Sequence, residues 1–413
     1  MYFVVEQQTK HIMAKDRSYS GQPLFTQLLS FLDRNQVNRL SRRFQTDRYY
    51  KRFSTYHHLV TMLYAIFHKC TSLREVTTGM QACANRLQHL GMDYCPRRST
   101  LSDANRMRSA DVFEAVYRDL YQRSRRFLPD SRSKSKWYSR LFIVDSTTIS
   151  LFNEVLKNAG RTPVHGKRKG GIKVHTLIKA EEDVPCLVRM TAAAKHDVPF
   201  IQKLRLPEGS IIVFDKGYVD YAQYHLWTQQ KVSWVTRLRQ QAQYEVIEQR
   251  AVSDKDIKLG VVQDTYIVLG HQEHNQVTRT PARLVLFRDP ANNKLFLFIT
   301  NNRRLAPSTI ASIYKHRWQI ELLFKRLKQN YPLTYFLGDN ENAIRIQIWC
   351  ALIADLILKL VQVKLKRSWS FGNLSSMVRV HLMTYIHLFK FLNNPDHILI
   401  NQQTIQARGP TLF

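Results

Sequence analysis

LFIVD, residues 141–145, is where the periodicity of this chain changes. Upstream, apolar residues recur at helical spacing. LFIVD is instead a short continuous apolar run stopped by an acid, and IIVFD, residues 211–215, repeats it. Such runs suit buried strands of a mixed sheet. GGIKVHTLI (170–178) and VPCLVRMTAA (184–193) read as further strands, with Gly170–Gly171 as punctuation. Each acid, Asp145 and Asp215, is expected at the carboxyl end of its strand, the edge at which α/β sheets bind ligands. If the two strands are near neighbours, their carboxylates converge and a divalent cation relieves the repulsion. Carboxylate oxygens suit Mg²⁺ or Mn²⁺. Taken singly, an Asp that ends a strand is also an ordinary turn former.

Working outward, residues 1–20 form an N-terminal extension without a clear pattern. Helical runs cover 24–44, 56–69, a stretch from Ser72, a short basic piece after Pro96, and 110–127. Residues 21–128 therefore read as an all-helical domain. Basic faces with Arg42, Arg43, Arg97, Arg98 and Arg106 suit DNA, although a packing or dimerisation module has the same look. Residues 129–140 (PDSRSKSKWYSR) read as a basic linker. The α/β part runs from 141 to 395. Within it, about 238–300 is a β-rich insertion, where YEVIEQ, DTYIVLG, ARLVLF and KLFLFIT are separated by turn residues. Residues 396–413 are left as a C-terminal tail.

Composition bounds the partner. Lys plus Arg number 62 against 32 acids, a net charge of +30 spread over 413 residues. A surplus of that size fits a polyanionic partner, nucleic acid first. Cys70, Cys83, Cys95, Cys186 and Cys350 form no CxxC pair and no zinc spacing, which points to a reducing, cytoplasmic compartment. The opening MYFVVEQQTK lacks the pattern of a signal peptide. The most apolar stretch, 346–363, is broken by Gln347, Asp355 and Lys359 and reads as a buried helix, so no membrane partner is expected.

YKHRWQIELLFKRLK, residues 314–328, lies in a run free of Pro and Gly from Ser308 to Tyr331 and reads as one helix. On an ideal wheel Tyr314, Arg317, Glu321, Lys325 and Lys328 fall within about 80° of one another. Ile313, Ile320, Leu323, Phe324 and Leu327 form the apolar stripe beside them. A lone acid among bases suits the edge of an active site over a phosphate backbone. A solvated face with i,i+4 ion pairs, such as Glu321 with Lys325, gives the same wheel.

Tyr314, Arg317, Glu321 and Lys328 reproduce the spacing Y-x2-R-x3-E-x6-K. That spacing, with IVDSTTI around Asp145 and FDKGYVDY around Asp215, resembles the bacterial insertion-sequence transposases of the DDE class, in the group called the IS four family. The resemblance covers about 139–392. It implies an RNase H-like core, a mixed sheet with flanking helices, interrupted by the β-rich insertion and preceded by the helical domain. It implies Asp145, Asp215 and Glu321 as catalytic acids and ligands of Mg²⁺, with Mn²⁺ able to substitute. Tyr314, Arg317 and Lys328 match positions that grip phosphates, and Arg237 in WVTRL resembles another DNA-contacting arginine. The implied partner is double-stranded DNA, as transposon ends and target, bound by a dimer in the bacterial cytoplasm. The implied reaction is metal-dependent cleavage and strand transfer through a hairpin, with a base flipped onto a Trp of the insertion. Residues 244–300 contain no Trp, so the stacking residue stays open. A nuclease without strand transfer, or a DNA-binding regulator without catalysis, is the alternative.

Overall fold

A computed structural model describes residues 21–48, 50–128, 135–150, 171–270, 272–273, 276–277 and 279–396. The expectations for 1–20, for linker residues 129–134 and for 397–413 of the tail lie outside these residues. The chain divides into two compact units, 128–325 and 1–127 with 326–413.

The second of these is helical. It holds α1 (Leu24–Leu29), α2 (Arg34–Arg43), α3 (Thr55–His68), α4 (Leu73–Ala82), α5 (Arg98–Met107) and α6 (Asp111–Ser124). Asp33 caps α2, which splits the single run read over 24–44 in two. Ser54 caps α3, and Lys69 ends it in a left-handed conformation. Arg42, Arg43, Arg97, Arg98 and Arg106 are all exposed, as a DNA-facing surface needs.

The other unit is built on a nine-stranded mixed sheet. Its strands are β1 (Leu141–Ser150), β2 (Gly171–Lys179), β3 (Pro185–Ala192), β4 (Ile211–Phe214), β5 (Ser233–Arg237), β6 (Tyr244–Arg250), β7 (Val261–Leu269), β10 (Thr280–Arg288) and β11 (Leu295–Thr300). A separate ribbon pairs β8 (Gln272–Glu273) with β9 (Gln276–Val277). The order is β3-β2-β1-β4-β5-β11-β10-β7-β6. β2 is antiparallel to β1 and β3, whereas β4 is parallel to both β1 and β5. That order and those directions over the first five strands are what an RNase H-like core requires. β4 is buried at all four residues, which is why its sequence is uniformly apolar. Short helices α7 (Val198–Ile201), α8 (Tyr221–Gln229) and α9 (Asp254–Lys258) connect the strands.

Two expectations change here. Asp145 does not end its strand, because β2 pairs with β1 as far as Ser150. It lies instead where the parallel neighbour stops: Val144 faces Phe214, and the next residues along are Asp145 and Asp215. The stretch read as a β-rich insertion is built of strands that extend this same sheet: β11 pairs with β5, and β10, β7 and β6 continue it. The second change concerns the basic helix. It is two helices, α10 (Pro307–His316) and α11 (Trp318–Asn330). At the break the N–H of Arg317 bonds to Tyr314 and that of Ile320 to Arg317, steps of three residues where an α-helix takes four. No Pro or Gly announces it.

The division between units falls inside α11, between Lys325 and Arg326. Residues 326–395, read in sequence with the catalytic part, therefore group with the N-terminal helices. They hold α12 (Glu341–Lys364), α13 (Phe371–Val380) and α14 (Leu388–Asn393). α12 is long and apolar enough to cross a membrane by length and composition, but most of it is buried inside the fold. It packs on α3 and α6. Its one buried acid, Asp355, takes two hydrogen bonds from Arg326, at 3.1 and 2.9 Å.

Asp264 on β7 and Arg283 on β10 form a fork-to-fork pair at 2.7 and 2.9 Å, both buried. Arg283 also donates to the carbonyls of Asn302 and Leu305, just before α10. The pair thus ties the sheet to the segment that aims α10. Asp264→Ala would leave Arg283 buried without a counter-charge, a loss of about 3–5 kcal/mol. Urea unfolding should show it as a lower midpoint; an unchanged midpoint would mean the guanidinium escapes to solvent.

Candidate active site

Three elements deliver the acids. β1 carries Asp145, the end of β4 releases Asp215, and the first turn of α11 presents Glu321. They meet around one side chain. Arg317 Nη1 donates to Asp145 Oδ2 at 3.1 Å, and its Nη2 donates to Glu321 Oε1 at 2.6 Å. Asp215 Oδ1 accepts from the Tyr314 hydroxyl and from Arg237 Nη2, each at 3.3 Å. Both guanidiniums lie over the Tyr314 ring, at 5.6 Å for Arg237 and 5.7 Å for Arg317. The structure therefore brings together six of the seven residues expected from sequence. Lys328 is exposed on α11 beyond the division and belongs to the helical unit.

The acids differ in electrostatics. Burial pushes the Asp145 carboxyl up to about 6. The Ser146 N–H and Arg317 oppose that rise, and the charges of Asp215 and Glu321 add to it. Burial acts on Asp215 too, but Arg317, Arg237 and the N–H groups of Lys216 and Gly217 outweigh it and hold its carboxyl below the usual value. Asp215 is thus the more firmly ionised of the two.

The acids were expected to share a metal ion; here two of them, Asp145 and Glu321, share Arg317, and Asp215 is held by Arg237 and Tyr314. Among the described residues no group of three or more His, Cys, Asp or Glu stands ready to hold an ion. The donor chemistry still fits a hard cation, since all three ligands are carboxylates. What stands in the way is the guanidinium on Asp145 Oδ2 and Glu321 Oε1.

Beside the acids opens a cleft of about 1160 Å³ whose lining includes Trp137, Arg237, Phe296, Phe298, Arg317 and Trp318. Trp318 is 58% exposed, while Trp234 on β5 is fully buried. Sequence reasoning missed a polar cluster behind Asp145. Asp197 accepts from Ser146 Oγ at 3.0 Å and lies 3.2 Å from Lys173 Nζ and 3.4 Å from His175 Nδ1. Burial lowers His175 to about 4. No spacing in the sequence points to this cluster, because Asp197 comes from a loop and its partners from two strands, Ser146 from β1 and Lys173 and His175 from β2. Tyr218, quoted in the second motif without a role, is buried beside Ser146.

The raised pKa of Asp145 has a measurable sign. The unfolded chain releases this proton near 3.8, the folded chain near 6. Between those values the folded state binds more protons, so stability falls as pH rises and the loss is complete above about pH 6. The full effect is roughly 3 kcal/mol. Asp145→Asn mimics the protonated group and lacks this dependence. Urea unfolding without metal should therefore show wild type losing that amount relative to Asp145→Asn between pH 4 and pH 7. Parallel curves would mean that Asp145 is ionised throughout.

The transposase DDE domain model matches residues 137–356, and a domain of unknown function matches residues 20–93. A putative transposase of Sinorhizobium fredii, y4zB, is 29% identical over 266 residues, covering 64% of this chain and 71% of that one. The transposase InsG of insertion sequence element IS4 from Escherichia coli is 26% identical over 193 residues, 43% of this chain and 42% of its own. The cryo-EM structure of the piggyBac transposase synaptic complex with hairpin DNA overlaps with a TM-score of 0.42 at 10% identity, over 94% of this chain and 84% of that one, too distant to carry an argument. With more than half of its length matched by the domain model, the chain belongs to the DDE transposase family.

Proposed function

We propose that this protein excises and inserts an insertion sequence. It binds the terminal inverted repeats through the helical residues 21–127, cuts the DNA beside them and joins the freed 3′ ends to a target. The observation that carries this reading is the meeting of Asp145, Asp215 and Glu321 next to a cationic, aromatic-lined cleft. A bound Mg²⁺ or Mn²⁺ would supply an activated water or 3′-hydroxyl and neutralise charge on the phosphate. The chain's own residues do the rest. Asp145, Asp215 and Glu321 hold the cation. Arg237, Arg317 and Tyr314 orient the scissile phosphate, the two arginines as planar forks. The exposed Trp318, with Phe296 and Phe298 beneath the same cleft, offers the stacking face that a flipped base and a hairpin intermediate need. Two copies, one on each end, would make the complex that performs both cuts.

The test uses full-length protein, a linear duplex carrying the element's inverted repeats, Mg²⁺ and a target plasmid. Excision, hairpin ends and insertion products are expected from wild type. Asp145→Ala, Asp215→Ala and Glu321→Ala should each abolish cleavage and leave end binding largely intact, because binding is mainly phosphate contact. Cleavage without insertion products would make the protein a nuclease. Equal binding of inverted-repeat and random duplexes would reduce the helical domain to a non-specific clamp.

Arg317 separates catalysis from binding. Holding the phosphate supplies positioning and charge stabilisation, whereas many other cations share the load of binding. Arg317→Ala should slow single-turnover cleavage of a pre-bound end by on the order of 100-fold, with end affinity changed only a few-fold. Arg317→Lys should restore only part, lacking the fork. A variant that cleaves at the wild-type rate once bound would remove Arg317 from the phosphate site.

A further inference from the structure

Arg317 occupies the oxygens that a cation needs. Its two terminal nitrogens hold Asp145 Oδ2 and Glu321 Oε1. Counted with Arg237 on Asp215, three carboxylates face two guanidiniums, and the cluster keeps a single negative charge. An ion of charge two at those oxygens would sit against the Arg317 guanidinium and be repelled by it.

Three features show that this arrangement is built to be exchanged. The guanidinium is incompletely satisfied, since Arg317 Nε is buried without a hydrogen-bond partner. Arg317 also lines the cleft beside the acids, along with Arg237, Lys255 and Lys315. Its side chain thus borders both the carboxylates and the cleft in which an anion would lie. Finally, Arg317 stands at the break between α10 and α11, outside the regular hydrogen-bond pattern of either helix.

We propose that Arg317 is a latch: it closes the acid cluster in the DNA-free protein and opens it when a DNA phosphate in the cleft takes its guanidinium. The proposal rests on the reading of Asp145, Asp215 and Glu321 as cation-holding acids. Phosphate competes for the planar fork of a residue that also lines the cleft, because it offers paired oxygens without an adjacent like-charged competitor. Once Arg317 leaves, Asp145 Oδ2 and Glu321 Oε1 are free together. Cation loading and DNA capture then favour each other by the same factor, as linkage requires. Free protein carries an unloaded site and is silent as a nuclease, which a protein with thirty excess positive charges and affinity for any DNA has reason to be.

The experiment measures Mn²⁺ binding by loss of the free-ion EPR signal, with no turnover involved. Full-length wild type, Arg317→Ala, Arg317→Gln and Asp145→Ala are titrated alone and with a pre-cut transposon-end duplex, which has no bond left to break. Arg317→Gln keeps polar reach without charge and serves if the alanine variant fails to fold, as a thermal melt will show. Without DNA, the Arg317 variants should bind Mn²⁺ on the order of 10- to 100-fold more tightly than wild type. The duplex should tighten wild type by a similar factor and the Arg317 variants by much less. Equal affinity of wild type and both Arg317 variants in the absence of DNA overturns the latch, as does an equal gain from DNA in all of them. The underlying reading fails separately: it does so if Asp145→Ala binds Mn²⁺ as well as its parent under both conditions.

Discussion

The bridge from Arg317 to Asp145 and Glu321 is the interaction on which the site depends. Three carboxylates on a partly buried edge cannot stand uncompensated, since each would lose hydration and gain two like-charged neighbours. Topology makes the problem unavoidable. Parallel pairing of β1 with β4 sets Asp145 beside Asp215, and α11 lowers Glu321 onto the same edge. One guanidinium relieves two of the acids, and Arg237 with Tyr314 relieves the third. Burial, opposed only by Arg317 and the Ser146 N–H, keeps the proton on Asp145 to about pH 6, whereas Arg317, Arg237 and two backbone N–H groups outweigh burial at Asp215 and hold it ionised. The Arg317 bridge also places the break between α10 and α11 at the residue whose side chain is drawn to two acids.

The strands that read as an insertion take part in this geometry. β11 and β10 extend the sheet beyond β5, and the buried pair of Arg283 and Asp264 ties that extension to the segment leading into α10. Tyr314, Arg317 and Glu321 follow directly from that segment. The aromatic floor of the cleft, Phe296 and Phe298, comes from β11 itself. The added strands thus aim the basic helix and form one wall of the space beside it.

Of the candidate residues, the sequence showed which ones matter more readily than how they are bonded. The two apolar runs ending in acid, the four-residue signature and WVTRL led to six side chains that the structure brings into one site. Their roles in the DNA-free protein were not legible. Spacing along a helix says that Arg317 and Glu321 share a face, but not that Asp145 arrives from below to compete with phosphate for the guanidinium. The cluster of Asp197, Ser146, Lys173 and His175 left no trace either, because it assembles from a loop and two strands whose register no local pattern encodes.

The sequence by itself determined the class of the fold, the basic character of the surface and the acids, because these follow from local periodicity, composition and short motifs. It also marked 346–363 as a buried helix, through polar residues spaced within an apolar run. Tertiary structure alone decided where the strands end, that the β-rich stretch joins the main sheet, and that residues 326–395 pack with the N-terminal helices. Each of these depends on hydrogen bonds and buried surface between segments far apart in the chain, and local pattern carries no information about such partners. The same reason explains the site: an ion pair between residues 145 and 317 exists only once the sheet and the helix have met.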